Sequence, residues 1–180
     1  MGKRKVSMFS VLILIVGLSG LGVGVFSLLT SQQLVNRVNT PKPLARVLVS
    51  SNYLISNSVW ETVNFNVVDY DKTDDFNIVT DEFTSSTSGY YLISAMLTFA
   101  VMNDGDAIFV RLVREGVYEA GSSAHASQSN TLSVGFTDIV YLTAGDTFEI
   151  QVFQLSSGSK NLLGTTAGTY TYLTIAAISV

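Results

Sequence analysis

The chain is poor in the groups that perform nucleophilic or metal chemistry: it has one histidine and no cysteine. His125 stands in the run Gly121-Ser-Ser-Ala-His125-Ala-Ser. A Ser-His-Asp triad assembles in space rather than along the chain, but no Gly-x-Ser-x-Gly elbow announces one. The small residues around His125 read as an outer strand or loop that leaves it on the surface, so no catalytic residue is assigned. A single histidine without thiolates gives no structural zinc set. The densest oxygen donors are Asp69, Asp71, Asp74, Asp75, Asp81 and Glu82. They lack the glycine and the closing glutamate of an EF-hand loop and read as a solvated loop. Asp104 and Asp106, flanking Gly105, read first as a turn and are the remaining calcium candidates. No other cofactor is implied.

The elements that must position these residues divide near residue 44. Lys3, Arg4, Lys5, Arg37 and Lys42 precede it, and every acidic residue follows residue 60. From residue 44 onward five basic residues face fourteen acidic ones, a net charge of −9. Such a surface confers solubility and lacks the basic footprint that nucleic acid requires. Trp60 and the Tyr/Phe set have no interleaved cations to suggest a single-strand platform and read as core. No Asn-x-Ser/Thr acceptor occurs, so N-glycosylation is not expected. Without cysteine, the fold must be held by its core and its partners.

Residues 6–29 contain no charge. As a helix rising 1.5 Å per residue, a run of about 24 residues spans roughly 36 Å, enough for a hydrocarbon core of about 30 Å. The basic tail at 1–5 places the N-terminus in the cytoplasm and all that follows outside. The segment therefore reads as a single-pass signal-anchor. Its rival is a cleavable signal peptide that would release a secreted domain, but the apolar run is long and Val25-Phe26-Ser27-Leu28-Leu29 offers no clean cleavage site. Gly20 and Gly24 have the small-xxx-small spacing that lets membrane helices approach closely, although glycine is also common in such helices. Residues 30–43 hold both prolines, Pro41 and Pro43, and form a short linker.

Beyond residue 44 the hydrophobic period becomes two, as in strands. Tyr91, Ile93, Ala95, Leu97, Phe99 and Val101 share one face; so do Leu132, Val134, Phe136, Val140 and Leu142. Phe148, Ile150 and Val152 alternate with Thr147, Glu149 and Gln151; Ile108, Val110 and Leu112 alternate with Phe109, Arg111 and Val113. Turn residues punctuate these runs at Ser88-Gly89, Asn103 to Asp106, Glu115-Gly116, Ala144 to Asp146 and Ser157-Gly158. Many strands at this spacing imply an all-β sandwich or jelly roll. The last strand, placed at 169–180, is apolar on both faces, with Tyr170, Tyr172, Ala176 and Ile178 on one side and Leu173, Ile175 and Ala177 on the other. A strand buried on both faces needs a second covering layer. Another subunit is its simplest source, which makes Tyr170, Tyr172 and Ile178 candidates for a trimer interface.

Three spacings within 62–150 carry a resemblance. Phe76 is followed seven residues later by Phe83, and Gly89 follows six further on. Tyr91 and Ile93 then alternate, and Thr80 stands in the turn before Phe83. Downstream lies Leu142-Thr-Ala-Gly145-Asp146-Thr-Phe148-Glu-Ile150. This pattern resembles the C1q globular domain of the C1q/TNF superfamily. Asp81 and Thr174 stand where that family usually has glycine, and the collagen stalk is missing. The resemblance implies a jelly roll of about ten antiparallel strands over 44–180 with aromatics at each subunit core, a bell-shaped homotrimer, and binding or scaffolding rather than catalysis. Its matched residues are structural: Gly89 for a tight turn into the central strand, Phe83 and Tyr91 for the interior, Gly145-Asp146 for the turn between two long strands. The expected protein is a membrane-anchored, trimeric extracellular binding or adhesion protein with an unknown protein or glycan ligand. A structural subunit of a virion, filament or surface layer is the alternative.

Overall fold

The computed structural model describes residues 42–179. The expected basic tail, the span with Gly20 and Gly24, and the linker up to residue 41 lie outside the described residues. Among the described residues no helix is long and apolar enough to cross a membrane.

Thirteen strands follow one another: β1 Leu44–Leu48, β2 Tyr53–Ile55, β3 Glu61–Thr62, β4 Val67–Asp71, β5 Phe76–Asn77, β6 Glu82–Thr84, β7 Gly89–Met102, β8 Ala107–Arg114, β9 Val117–His125, β10 Asn130–Leu142, β11 Thr147–Leu155, β12 Lys160–Leu162 and β13 Tyr172–Ser179. About ten were expected; eight are long enough to show a period, and β2, β3, β5, β6 and β12 are pairings of two or three residues too short to show one. The strands form two antiparallel sheets, consistent with a jelly-roll sandwich. One runs β2-β12-β7-β13-β1-β4, with β10 along the free side of β7. The other runs β5-β6-β11-β8-β9, with β3 also on β11.

The expected alternation places the core. Tyr91, Ile93, Leu97 and Phe99 of β7 are buried, as are Ile108, Val110 and Leu112 of β8 and Phe148, Ile150 and Val152 of β11. Val101 departs from it. The register with β10 slips between Asn130 and Leu132, Val101 takes φ 43°, and its side chain is 61% exposed while Met102 turns inward. A bulge adds one residue to one strand and so reverses the side-chain parity beyond it. β13 likewise starts at Tyr172, not 169: bends occupy 169–171 and leave Tyr170 outside the strand.

The residues of the three spacings meet at one end of the sandwich. Phe83 of β6 is fully buried. The Tyr91 ring packs edge-on against it at 5.9 Å and the Phe148 ring lies at 5.1 Å. Phe76 pairs with Phe83 across β5 and β6 and meets Phe65 edge-on at 6.1 Å. The Tyr91 hydroxyl donates to Thr87 O at 2.6 Å and accepts from Ser85 Oγ at 3.1 Å. Gly145, at φ 98°, turns β10 into β11, and its N–H reaches Ser85 O at 2.8 Å. Asp146 closes the same turn by accepting from Thr143 N–H at 3.0 Å. Gly89 differs from expectation: it opens β7 buried opposite Leu142, with no left-handed φ.

Asp81 stands at φ 59°, a left-handed conformation that glycine adopts without strain and Asp tolerates. Its carboxylate accepts the Phe65 N–H at 2.8 Å. Burial pushes this carboxyl up to about 6; the Phe65 bond opposes the rise and the charge of Glu149 adds to it.

Two predictions follow from this packing. A carboxyl raised in the fold stabilises it fully below its unfolded value of 3.8, and that contribution is lost as pH rises through about 6. Asp81→Asn keeps the backbone tolerance and the acceptor without the charge. Allowing for solvent screening, it should stabilise the domain by about 1 kcal/mol near pH 7.5 and by little near pH 4 in denaturant titrations. A larger gain in acid would contradict the assignment. Tyr91→Phe removes the hydroxyl's bonds to Thr87 and Ser85 but leaves Ser85 Oγ donating to Thr87 O at 2.8 Å, so it should cost about 0.5–1.5 kcal/mol in the same assay.

Candidate functional site

Alternation gives each sheet a second face, and the two outer faces differ. On the seven-stranded sheet, cross-strand register aligns the outward residues in rows. Tyr141 stands opposite Tyr90, and Ile139 opposite Leu92. Leu92 is flanked on its other side by Ala176 of β13, which pairs in turn with Leu44 of β1. Two apolar rows thus cross the sheet at the end where β1 begins. The tyrosine rings meet edge-on at 5.2 Å; Tyr90, Ile139 and Tyr141 are each at least half exposed. The next row is hydroxylic: Ser94 and Thr137 share a hydrogen bond of 2.8 Å, and Thr174 pairs with Ser94 on its other side. Beyond it Arg46 lies over the Tyr172 ring at 5.0 Å and is fixed by Asp69 at 2.8 Å and Gly168 O at 2.9 Å.

Of the interface candidates from sequence, Ile178 is 49% exposed, Tyr172 is partly buried with the Arg46 guanidinium over its ring, and Tyr170 is exposed just ahead of β13. Leu173 and Ile175 fill the core, so β13 is indeed apolar on both sides. Sequence reasoning missed Tyr90, Leu92, Ile139 and Tyr141. Their outward parity was readable in each strand, but the register that aligns them into rows was not.

The outer face of the six-stranded sheet is polar and aromatic. Trp60, read from sequence as core, stands at the surface with 37% of its area exposed. It lies next to the two-residue strand β3, too short to declare which way its neighbours point. The Arg111 guanidinium stacks on the indole at 3.8 Å. Its Nε and Nη2 both donate to Gln151 Oε1, at 2.9 and 2.6 Å. Gln151 Nε2 donates to Glu149 at 2.6 Å, and Thr62 Oγ1 donates to the other oxygen of Glu149 at 2.6 Å. An aromatic strip runs beside this chain, from Trp60 to Phe153 at 5.4 Å, to Phe109 at 5.8 Å, to His125 at 6.0 Å.

The acidic residues are dispersed into local roles. Asp106 accepts from Asn103 N–H at 2.7 Å and Lys160 Nζ at 3.0 Å, while Asp104 is exposed in the turn. Burial alone would raise the Asp106 carboxyl, but the Asn103 hydrogen bond and then Lys160 outweigh it and hold it below the usual range. Asp71 accepts from the N–H groups of Thr73 and Phe76; the buried Asp75 accepts from Thr73 and Ser86 hydroxyls. Among the described residues no three His, Asp or Glu side chains are grouped to hold a metal ion. His125 ends the edge strand β9, exposed against Phe109.

No protein-family model matches the sequence, and no curated protein matches it significantly. Solved structures do match in shape. The globular domain of zebrafish complement 1qA shares 21% identity and a TM-score of 0.59, over 76% of this chain and 98% of its own. Eiger TNF from S. frugiperda shares 12% identity and a TM-score of 0.58, over 77% and 94%. Murine APRIL shares 13% identity and a TM-score of 0.55, over 77% and 100%. With its two antiparallel sheets and its buried Phe83, Tyr91 and Phe148, the domain has the C1q/TNF-like fold.

Proposed function

We propose that this chain is a non-catalytic binding head that works as a homotrimer, held outside the cell by its N-terminal segment. The observation that carries the reading is the pair of apolar rows on the outer face of the seven-stranded sheet, Tyr141–Tyr90 and Ile139–Leu92–Ala176–Leu44. Contiguous apolar surface on a soluble domain marks an interaction site. Fully withdrawing an exposed large apolar side chain from water contributes about 1.5–3 kcal/mol, and these half-exposed ones contribute in proportion to the area still open. A second copy is the favoured occupant, because the likeness to complement 1qA and TNF-type domains brings closed assembly with it as the expectation. Three copies related by a closed rotation cover the face without leaving an open, polymerising edge.

The charge-free run at 6–29 behind three cations supports a single-pass anchor with the head outside. The dispersed acids, lone exposed His125 and neighbours that are themselves C1q and TNF domains support recognition rather than catalysis. Adhesion to, or capture of, a protein or glycan fits such a head.

Sedimentation of the intact chain in mild detergent tests the assembly. The unaltered protein should have the mass of three chains. Leu92→Glu combined with Ile139→Glu, two changes on the outer face, should have the mass of one, with near-ultraviolet dichroism retained. A single-chain mass for the unaltered protein would contradict the reading.

A further inference from the structure

We propose that the outer face of the six-stranded sheet carries a binding groove for a saccharide bearing a carboxylate, centred on Trp60 and Arg111. This rests on reading the domain as a binding head, but not on its being a trimer.

The groove is shallow and open to solvent, with a volume of about 390 Å³, and is lined by Trp60, Phe109, Arg111, Tyr118, Ser122 and Ser123 among others. That size suits a short ligand, and an aromatic-walled groove with a few convergent polar groups is the usual form of a small-molecule site. Its shape comes from β9. Gly121 sits opposite Arg111 in the β8–β9 register, and a Cβ there would come within 2.4 Å of the Val110 carbonyl oxygen. Glycine therefore lets β9 run close to β8 and leaves no side chain opposite Arg111. Ser123, opposite Phe109, and Tyr118, opposite Val113, flank the opening, and Tyr118 is well exposed.

The charge argument selects the ligand. In a domain of net −9, Arg46, Arg114 and Lys160 are each paired with carboxylates. The exposed Lys72 and the half-buried Arg111 are not, and of these two only Arg111 lines the groove. Among the described residues its guanidinium meets no carboxylate, its only hydrogen-bond partner is the neutral Gln151 amide, and Nη1 has none. The plane is nevertheless fixed, by the indole on one side and by the Gln151–Glu149–Thr62 chain along its edge. Side-chain ordering is thus met before any ligand arrives, which favours binding. A fixed guanidinium matches the geometry of a carboxylate. Exposed aromatic rings beside it offer apolar faces for the C–H faces of a sugar ring, and the Ser123 hydroxyl, on the same face as Phe109 and Arg111, can exchange hydrogen bonds with its hydroxyls.

Trp60 is the sole tryptophan of the chain, so its fluorescence reports the groove directly. The intact chain, in a detergent without a sugar headgroup, is titrated with oligogalacturonate, with the uncharged oligogalactose and with a short polyglutamate. Oligogalacturonate should change the Trp60 emission saturably. Arg111→Gln should weaken that response at least tenfold, and so should Ser123→Tyr, which fills the groove from an exposed position and leaves the Arg111 network intact. Retention of the thermal transition identifies folded variants. Equal binding of oligogalactose, equal binding of polyglutamate, a response that survives Ser123→Tyr in a folded protein, or no saccharide response would each overturn the proposal. A loss of trimer mass with the fluorescence response intact would instead count against the assembly and leave the groove standing.

Discussion

Phe83 contacts the elements of both sheets at once. It arrives on the three-residue strand β6, yet it meets Tyr91 from the centre of one sheet and Phe148 from the centre of the other. A chain with no cysteine has no covalent closure for its two layers, so this buried contact takes that part. Aromatic pairs at such distances add about 0.5–1.5 kcal/mol each beyond the area they bury. The Tyr91 hydroxyl then ties the cluster to the 85–87 turn, and the Gly145 turn docks on Ser85. Hydrophobic packing and satisfied polar groups thus converge on one end of the sandwich.

With the interior filled this way, the two outer faces are left to do different things. One sheet presents aliphatic and tyrosine rows beside a hydroxyl row and the ordered Arg46. The other presents stacked aromatics and a guanidinium held by a neutral amide. A domain needing solubility alone would expose neither. The apolar face fits a permanent contact between like chains; the polar aromatic face fits a reversible contact with something else. On the proposed reading, that division would let assembly and recognition proceed without competing for surface.

Much of this was legible in the sequence. Period-two runs placed the interior of β7, β8, β10 and β11, and Gly, Asn and Asp marked the turns between them. The Phe76–Phe83–Gly89 and Leu142–Gly145-Asp146–Phe148 spacings located the buried cluster. Most of the failures depend on pairing between strands distant in sequence. The bulge that turns Val101 outward follows from its register with β10. Trp60 lies beside a strand of two residues, where no period exists to orient it. The Arg111–Gln151 contact needs β8 and β11 aligned, and the clear space above Arg111 needs Gly121 placed opposite. Asp81 is intermediate: it looked like a departure from a glycine position, and its φ of 59° explains why an Asp is tolerated there.

On the proposed reading, the apolar rows are covered by two further copies of the same chain. Because the protein has no native cysteine, a single Asp104→Cys substitution in the exposed β7–β8 turn carries one spin label per chain. Pulsed dipolar spectroscopy on dilute, detergent-solubilised protein should then give one dominant interspin distance with the modulation depth of three coupled spins. An absence of dipolar modulation at full labelling would contradict the account.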